Sequence, residues 1–219
     1  EYSTFDMSLL YHMARAAQCA DLPLMIKLDQ MNQGFWAQAA IGAGFKAVLF
    51  TDIRSPDDVE SCYQSIRPDN PAGQGLMGIK LRRPAFGSYG HDAYLADLES
   101  ILFLVMIEKT VAVDNLDLVL EKAKARGVDM TQWGPADFGF SRGQPDLMDT
   151  DEIKPFEELV IRKSIDYGIA PRIEIRSVDQ AQRYMDLGVR HFCIGWDRFI
   201  FQSALANIGE GMQKLLSSL

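Results

Sequence analysis

Apolar positions recur along this chain in two rhythms that alternate from end to end. After Ser3, Thr4 and Asp6, the residues Leu9, Leu10, Met13, Ala16 and Ala17 return at helical spacing. Asp21 and Pro23 stop that helix, and an apolar run over 22–28, broken only by Pro23 and Lys27, reads as a buried strand. The pattern predicts a helix over 34–43 stopped by Gly44, a strand over 46–50, and a helix opened by Ser55 as N-cap with Pro56 at its first position. Between 68 and 92 it dissolves into Pro, Gly, Arg and aromatics, a length at which a loop is more often functional than neutral. Helical character returns over 91–100, and the next apolar run is a third strand ending on Glu108. A helix over 113–125 closed by Gly127, a strand over 128–133, a helix over 153–167 and a strand over 171–175 come next. A helix over 178–187 stopped by Gly188, a strand over 190–194 and a final helix from about 198 to 215 complete the chain.

Strict alternation with short connections predicts right-handed βαβ units and a parallel sheet. The expected architecture is α/β, a single (β/α)8 TIM-type barrel domain over 1–219, with its first strand, helix and strand lying before Glu1. The chain begins on Glu1 rather than Met, which fits a numbering that omits an N-terminal portion. An open doubly wound sheet is the competing arrangement, but no GxGxxG comes after an early strand.

Composition narrows the partners. With 219 residues, 47% of them apolar, the chain can bury a substantial core, and a net charge of -8 argues against nucleic acid or an anionic membrane surface. The three cysteines, Cys19, Cys62 and Cys193, are odd in number, widely spaced and without a CxxC, so they read as buried reduced thiols of a cytoplasmic protein. No apolar run reaches transmembrane length, and the start lacks the order of a signal peptide.

Two strands deliver a carboxylate at their C-terminal tips. One is the run ending on Glu108; the other enters Gly134-Pro135-Ala136-Asp137. Barrels place metal ligands at such tips, although the same pattern fits a pair of helix N-caps or solvated loop carboxylates. Val105-Met106-Ile107-Glu108, Gly127-Val128-Asp129, Gly134-Pro135-Ala136-Asp137 and Gly195-Trp196-Asp197, taken in that order, resemble the HpcH/HpaI aldolase family. Gly42-Ala43-Gly44-Phe45, Pro71-Ala72-Gly73 and Asp186-Leu187-Gly188-Val189 fit the same pattern.

The resemblance implies a class II pyruvate aldolase: a carbon–carbon lyase working through a pyruvate-type enolate on a 2-oxo acid and an aldehyde. It implies Mg²⁺ or Mn²⁺, with Co²⁺ as an alternative, held by Glu108 and Asp137, since hard cations take oxygen ligands. Backbone groups of Gly134, Pro135 and Ala136 would contact the substrate, and Glu1 would order metal-bound water. It further implies a homo-oligomer, a hexamer built as a trimer of dimers, with the last helix exchanged between subunits. Phe199, Ile200, Phe201, Leu205 and Ile208 would suit that exchange, or would cover the chain's own barrel.

Three departures from the family pattern bear on the reaction. Glu1-Tyr2 stands where the family has Glu-His, so Tyr2 takes the place of the usual base, and an ordinary phenol titrates near pH ~10. Lys27 stands for an Arg that grips the keto acid, which keeps the charge and loses the bidentate fork. Gly75-Leu76 replaces an Arg-Gly, with Arg82 and Arg83 close behind. These changes leave other readings open: a CoA-thioester lyase of the citrate-lyase β type, a catalytically silenced barrel that binds metal and a small acid, or a Schiff base on Lys27.

Among the three histidines, His91 in the long loop is the one placed to replace the absent base, while His12 and His191 read as structural. Arg172, Glu174 and Arg176 share one face of their strand, either toward the site or in a strand-end salt-bridge cluster. Asp52 and Arg54 would line the mouth, though the N-cap just after them explains them equally well. Trp36 and Trp133 read as core, and Asp197 as a favourable helix opener.

Overall fold

The computed structural model of this chain describes residues 6–79 and 90–218. Helix α1 spans Met7–Cys19, and Asp6 caps it by accepting from the N–H groups of Ser8 and Leu9. After it come β1 (Met25–Lys27), α2 (Gln33–Ala43), β2 (Ala47–Phe50), α3 (Pro56–Ile66), α4 (His91–Glu99) and β3 (Leu102–Ile107). Next are α5 (Thr110–Asp114), α6 (Leu116–Ala125), β4 (Met130–Trp133), α7 (Pro135–Ser141) and α8 (Lys154–Asp166). The chain continues through β5 (Ala170–Ile175), α9 (Ala181–Asp186), β6 (His191–Ile194) and α10 (Asp197–Leu216). Alternating strands and helices therefore appear as expected, and the architecture is α/β.

Glu1–Pro171 forms one compact unit and Arg172–Leu219 another. In the first, β1 to β4 pair in chain order and in parallel, with Lys27 opposite Leu49, Phe50 opposite Val105, and Ile107 opposite Trp133. Both faces of this sheet are covered, which is why its central strands β2 and β3 read as unbroken apolar runs. On one face Ala47, Leu49, Leu104 and Met106 pack with Met25 and Met130. On the other, Val48, Phe50, Phe103, Val105 and Ile107 are fully buried, with the Phe50 and Phe103 rings edge to face at 5.7 Å. In the second unit, Arg172 to Ile175 of β5 pair in parallel with His191 to Ile194 of β6.

Local chemistry accounts for where the elements differ from expectation. The strand expected over 22–28 narrows to β1, although Leu24 still gives its carbonyl to the N–H groups of Lys46 and Ala47. Pro23 has no N–H to contribute to a ladder. The single helix expected over 113–125 is broken at Asn115, whose side-chain amide donates to the Val111 carbonyl at 3.0 Å and so competes with the backbone pattern. The helix expected over 178–187 opens as a 3-10 turn and is regular only in α9.

Ser55 does cap α3, in a reciprocal box with Asp58. Within the long loop, Pro68 and Met77 form an isolated parallel bridge, and a side chain at Gly75 would collide with the Arg67 carbonyl. Gly75 thus stands where the local backbone of this chain leaves no room for a side chain. Arg82 and Arg83 lie outside the described residues.

The cysteines need one correction. Cys62 is buried, but Cys193 is half-buried and Cys19 exposed, because Cys19 ends α1 on its outer side; all three are free thiols. No described helix is long and apolar enough to cross a membrane.

Candidate metal centre

Parallel pairing in close register brings the C-terminal ends of β1 to β4 side by side. The residues at or just past each strand end are therefore gathered along one edge of the first unit: Lys27, then Thr51 and Asp52, then Glu108 and Lys109, then Gly134 to Asp137. These positions are far apart in sequence, and the sheet is what makes them neighbours.

Glu108 is the buried member, only 2% exposed. Its Oε1 accepts the backbone N–H of Asp52 at 2.8 Å. Gly134 packs directly against it: a Cβ at that position would collide with Oε2 and lie 2.7 Å from the Glu108 Cβ. Burial pushes the Glu108 carboxyl up to about 7, and the Asp137 and Asp52 charges add to that rise. The Asp52 N–H and the Lys27 ammonium pull the other way.

Asp137 is not on a free turn. Pro135 opens α7, so Asp137 sits in the first turn of that helix, where a carboxylate is favoured. Its Oδ1 accepts from Lys109 Nζ at 3.1 Å, and the same ammonium lies 2.6 Å from Asp52 Oδ1. Asp52 is held in the left-handed region at φ 59, with the Thr51 hydroxyl donating to its Oδ2 at 3.0 Å. Burial disfavours a charged Lys109, yet the hydrogen bonds to Asp52 and Asp137 hold its pKa above the ordinary lysine value.

Glu108 and Gly134 are in contact, and the charges of Asp137 and Lys27 act on Glu108. Pro135 carries no N–H, so any backbone donors here come from Ala136 and Asp137 in the opening turn of α7. His91 begins α4 as an exposed residue, and among the described residues no hydrogen bond or ion pair links it to Glu108 or Asp137. Glu1 and Tyr2 lie outside the described residues.

Nothing in the sequence marks Lys109, and the N-cap after Asp52 is explanation enough for that residue. A lysine directly after a strand-end carboxylate reads as a solvated turn residue, and only its reach across to two other strand ends gives it a role. Trp133 is core as expected, at 3% exposure. In the second unit, Glu174 accepts from the Trp196 indole N–H, so the polar face of β5 is partnered at its strand end.

The carboxylate pair fits a hard divalent cation. Both donors are oxygens, one is buried, and its ionised form is disfavoured by burial and by like charge, a cost that a bound cation relieves. Among the described residues no group of three or more His, Cys, Asp or Glu side chains is arranged to hold an ion. Two protein carboxylates would leave coordination positions for water and substrate.

The family model of HpcH/HpaI aldolase/citrate lyase matches residues 5–204. The 2-keto-3-deoxy-L-rhamnonate aldolase of Salmonella paratyphi A is 32% identical over 210 residues, covering 94% of this chain and 76% of that protein. Its counterpart from Shigella dysenteriae serotype 1 is 28% identical over 208 residues, covering 94% and 75%. The crystal structure of an HpcH/HpaI aldolase from Desulfitobacterium hafniense DCB-2 matches with a TM-score of 0.82 at 17% identity, over 97% of this chain and 81% of that one.

Proposed function

From the premise that this chain belongs to the HpcH/HpaI aldolase/citrate lyase family and is a class II aldolase, we propose how its own residues carry the carbon–carbon lyase reaction. The reading is that Glu108 and Asp137 hold Mg²⁺ or Mn²⁺ and that a pyruvate-like 2-oxo acid, with an aldehyde as its partner, is cleaved or formed beside them. The ion when bound supplies Lewis acidity at the keto and carboxylate oxygens of the substrate, where negative charge grows as the enolate forms.

The chain's residues do the rest. The Asp52 N–H and the absence of a side chain at Gly134 fix the Glu108 carboxylate in place. Lys27, whose charge already acts on Glu108, pairs with the substrate carboxylate or oxyanion. The N–H groups of Ala136 and Asp137, at the start of α7, supply hydrogen bonds to a carboxylate. Tyr2 as the group in place of the usual base, and Glu1 as an organiser of water, belong to the same reading. His91 is the further candidate for a proton carrier.

The barrel and the assembly are also part of the proposal. Parallel pairing of β1 to β4 in chain order supports a (β/α)8 barrel. The exposed apolar residues Phe199, Phe201, Leu205 and Ile208 on α10 support a homo-oligomer in which that helix is exchanged between subunits. The relatives' substrate, a 2-keto-3-deoxy sugar acid, sets the class of 2-oxo acid to try first.

The observation that carries the proposal is the buried Glu108 carboxylate, pressed against Gly134 with Asp137 in its field. The test is exchange of the pyruvate methyl protons with solvent deuterium, with Mn²⁺ and with EDTA. Exchange that needs Mn²⁺ is expected. Exchange that survives EDTA and is trapped by borohydride would transfer the role to Lys27, and its absence under every metal would leave a binding protein rather than an enzyme.

A further inference from the structure

One carboxylate of the pair that is to receive a divalent ion, Asp137, already holds a monovalent one, which it shares with Asp52. Lys109 Nζ lies 2.6 Å from Asp52 Oδ1 and 3.1 Å from Asp137 Oδ1, and only 12% of its side chain is exposed. Arg54 reaches the same Asp52 oxygen only at 3.9 Å, so Lys109 is the cation in close contact there. The ammonium occupies one oxygen of Asp137 while Glu108 stands beside both aspartates, tied to Asp52 by the backbone hydrogen bond.

Two effects on the divalent ion oppose each other. Lys109 orients the Asp137 carboxylate, which would favour binding. It also places a positive charge beside the incoming ion and competes for an oxygen that would hold it, which disfavours binding. The orienting effect is the smaller one. Asp137 sits in the first turn of a helix, where the backbone already fixes the direction of its side chain. The repulsion comes from an ammonium whose side chain is only 12% exposed, so water reduces it from the side of Asp137, which is 48% exposed, without removing it.

Resting on the metal reading of Glu108 and Asp137, we infer that Lys109 is a resident cation that holds the divalent ion's affinity down, and that Asp52 moderates it by drawing the ammonium away from Asp137. Without the ion, Lys109 keeps the carboxylates from repelling one another. With it, the site binds loosely and the ion exchanges readily until an anionic chelating acid adds its own oxygens.

The sign of the Lys109 effect separates this inference from a merely structural role, because loss of a residue that only positions Asp137 would weaken binding. In titrations of the purified, chelator-treated chain with Mn²⁺, tracked by EPR of the free ion, Lys109→Met binds roughly ten- to a hundredfold more tightly than wild type. The same variant melts at a lower temperature without metal, and Lys109→Arg lies closer to wild type in both. Asp52→Asn keeps the backbone N–H to Glu108 and tolerates the left-handed φ, but it returns the whole ammonium to Asp137. It binds Mn²⁺ roughly tenfold more weakly.

Unchanged or weaker binding by Lys109→Met, or tighter binding by Asp52→Asn, overturns the inference while leaving the metal site standing. No binding by any variant or by wild type overturns the metal site, and the inference with it. If Lys109→Met does not fold, Lys109→Gln, which is uncharged and keeps a hydrogen-bond donor, takes its place in the same titration, and unchanged or weaker binding there overturns the inference equally.

Discussion

The backbone N–H of Asp52 and the Oε1 of Glu108, 2.8 Å apart, tie the end of β2 to the end of β3 across 56 positions of sequence. The bond orients a buried carboxylate with a main-chain donor, which no substitution at position 52 other than proline removes. Asp52 makes it from the left-handed region, which Asn and Gly adopt readily and Ala does not. Asp52→Ala is therefore expected to be less stable than Asp52→Asn by about 1 kcal/mol in urea unfolding. Equal stabilities would mean that the turn relaxes without cost.

Gly134 and Glu108 form the second close pair. A methyl group at Gly134 has no room beside Oε2 and Cβ of Glu108, so the carboxylate must move. Gly134→Ala should lose most Mn²⁺ binding and activity, with a drop in stability of about 1–3 kcal/mol, the usual cost of overpacking. Mn²⁺ titration together with thermal melting checks both. A variant that folds and binds Mn²⁺ normally would remove Glu108 from the ligand set.

The pH dependence of metal-free stability comes from the raised carboxyl of Glu108. Its pKa is 4.5 as a reference and about 7 in the folded chain, so the folded state holds the proton more tightly. Stability from this group is complete below pH 4.5 and is lost as pH rises toward 7. Relative to Glu108→Gln, the EDTA-treated wild type should lose roughly 1–3 kcal/mol between pH 5 and pH 8. A gap that does not change with pH would show the carboxyl to be unperturbed.

Thiol reactivity should separate the cysteines. Burial pushes the Cys62 thiol up to about 12, and Asp58 adds to the shift, so thiolate is scarce there at neutral pH. Cys19 is exposed and should react first with a disulfide reagent, with Cys193 slower and Cys62 silent until unfolding. Cys19→Ser identifies the fast phase. A fast phase that persisted in that variant would place another thiol at the surface.

Much of this protein is settled by local sequence. Period-3.6 stretches closed by Gly44, Gly127 and Gly188, and caps such as Asp6 and Ser55, dictate helices because they act within a few residues. Unbroken apolar runs dictate strands covered on both faces. Glu108 could be singled out because it stands where an apolar run stops, and the Gly134-Pro135-Ala136-Asp137 segment because a short strand runs there into a Gly-Pro turn. Interactions that are weak locally and strong at a distance escaped that logic. Asn115 breaks a helix that periodicity alone would continue, and Cys19 lies outside a core that composition alone would assign to it.

Above all, Asp52, Lys109 and Asp137 carry no common signature in the chain. They meet because parallel register aligns three strand ends and because a lysine side chain is long enough to span two of them. The carboxylates of the candidate metal site are a property of the sequence. The ammonium that Asp52 and Asp137 share belongs to the tertiary structure, since only packing decides which charges from separate strand ends come within reach of one another.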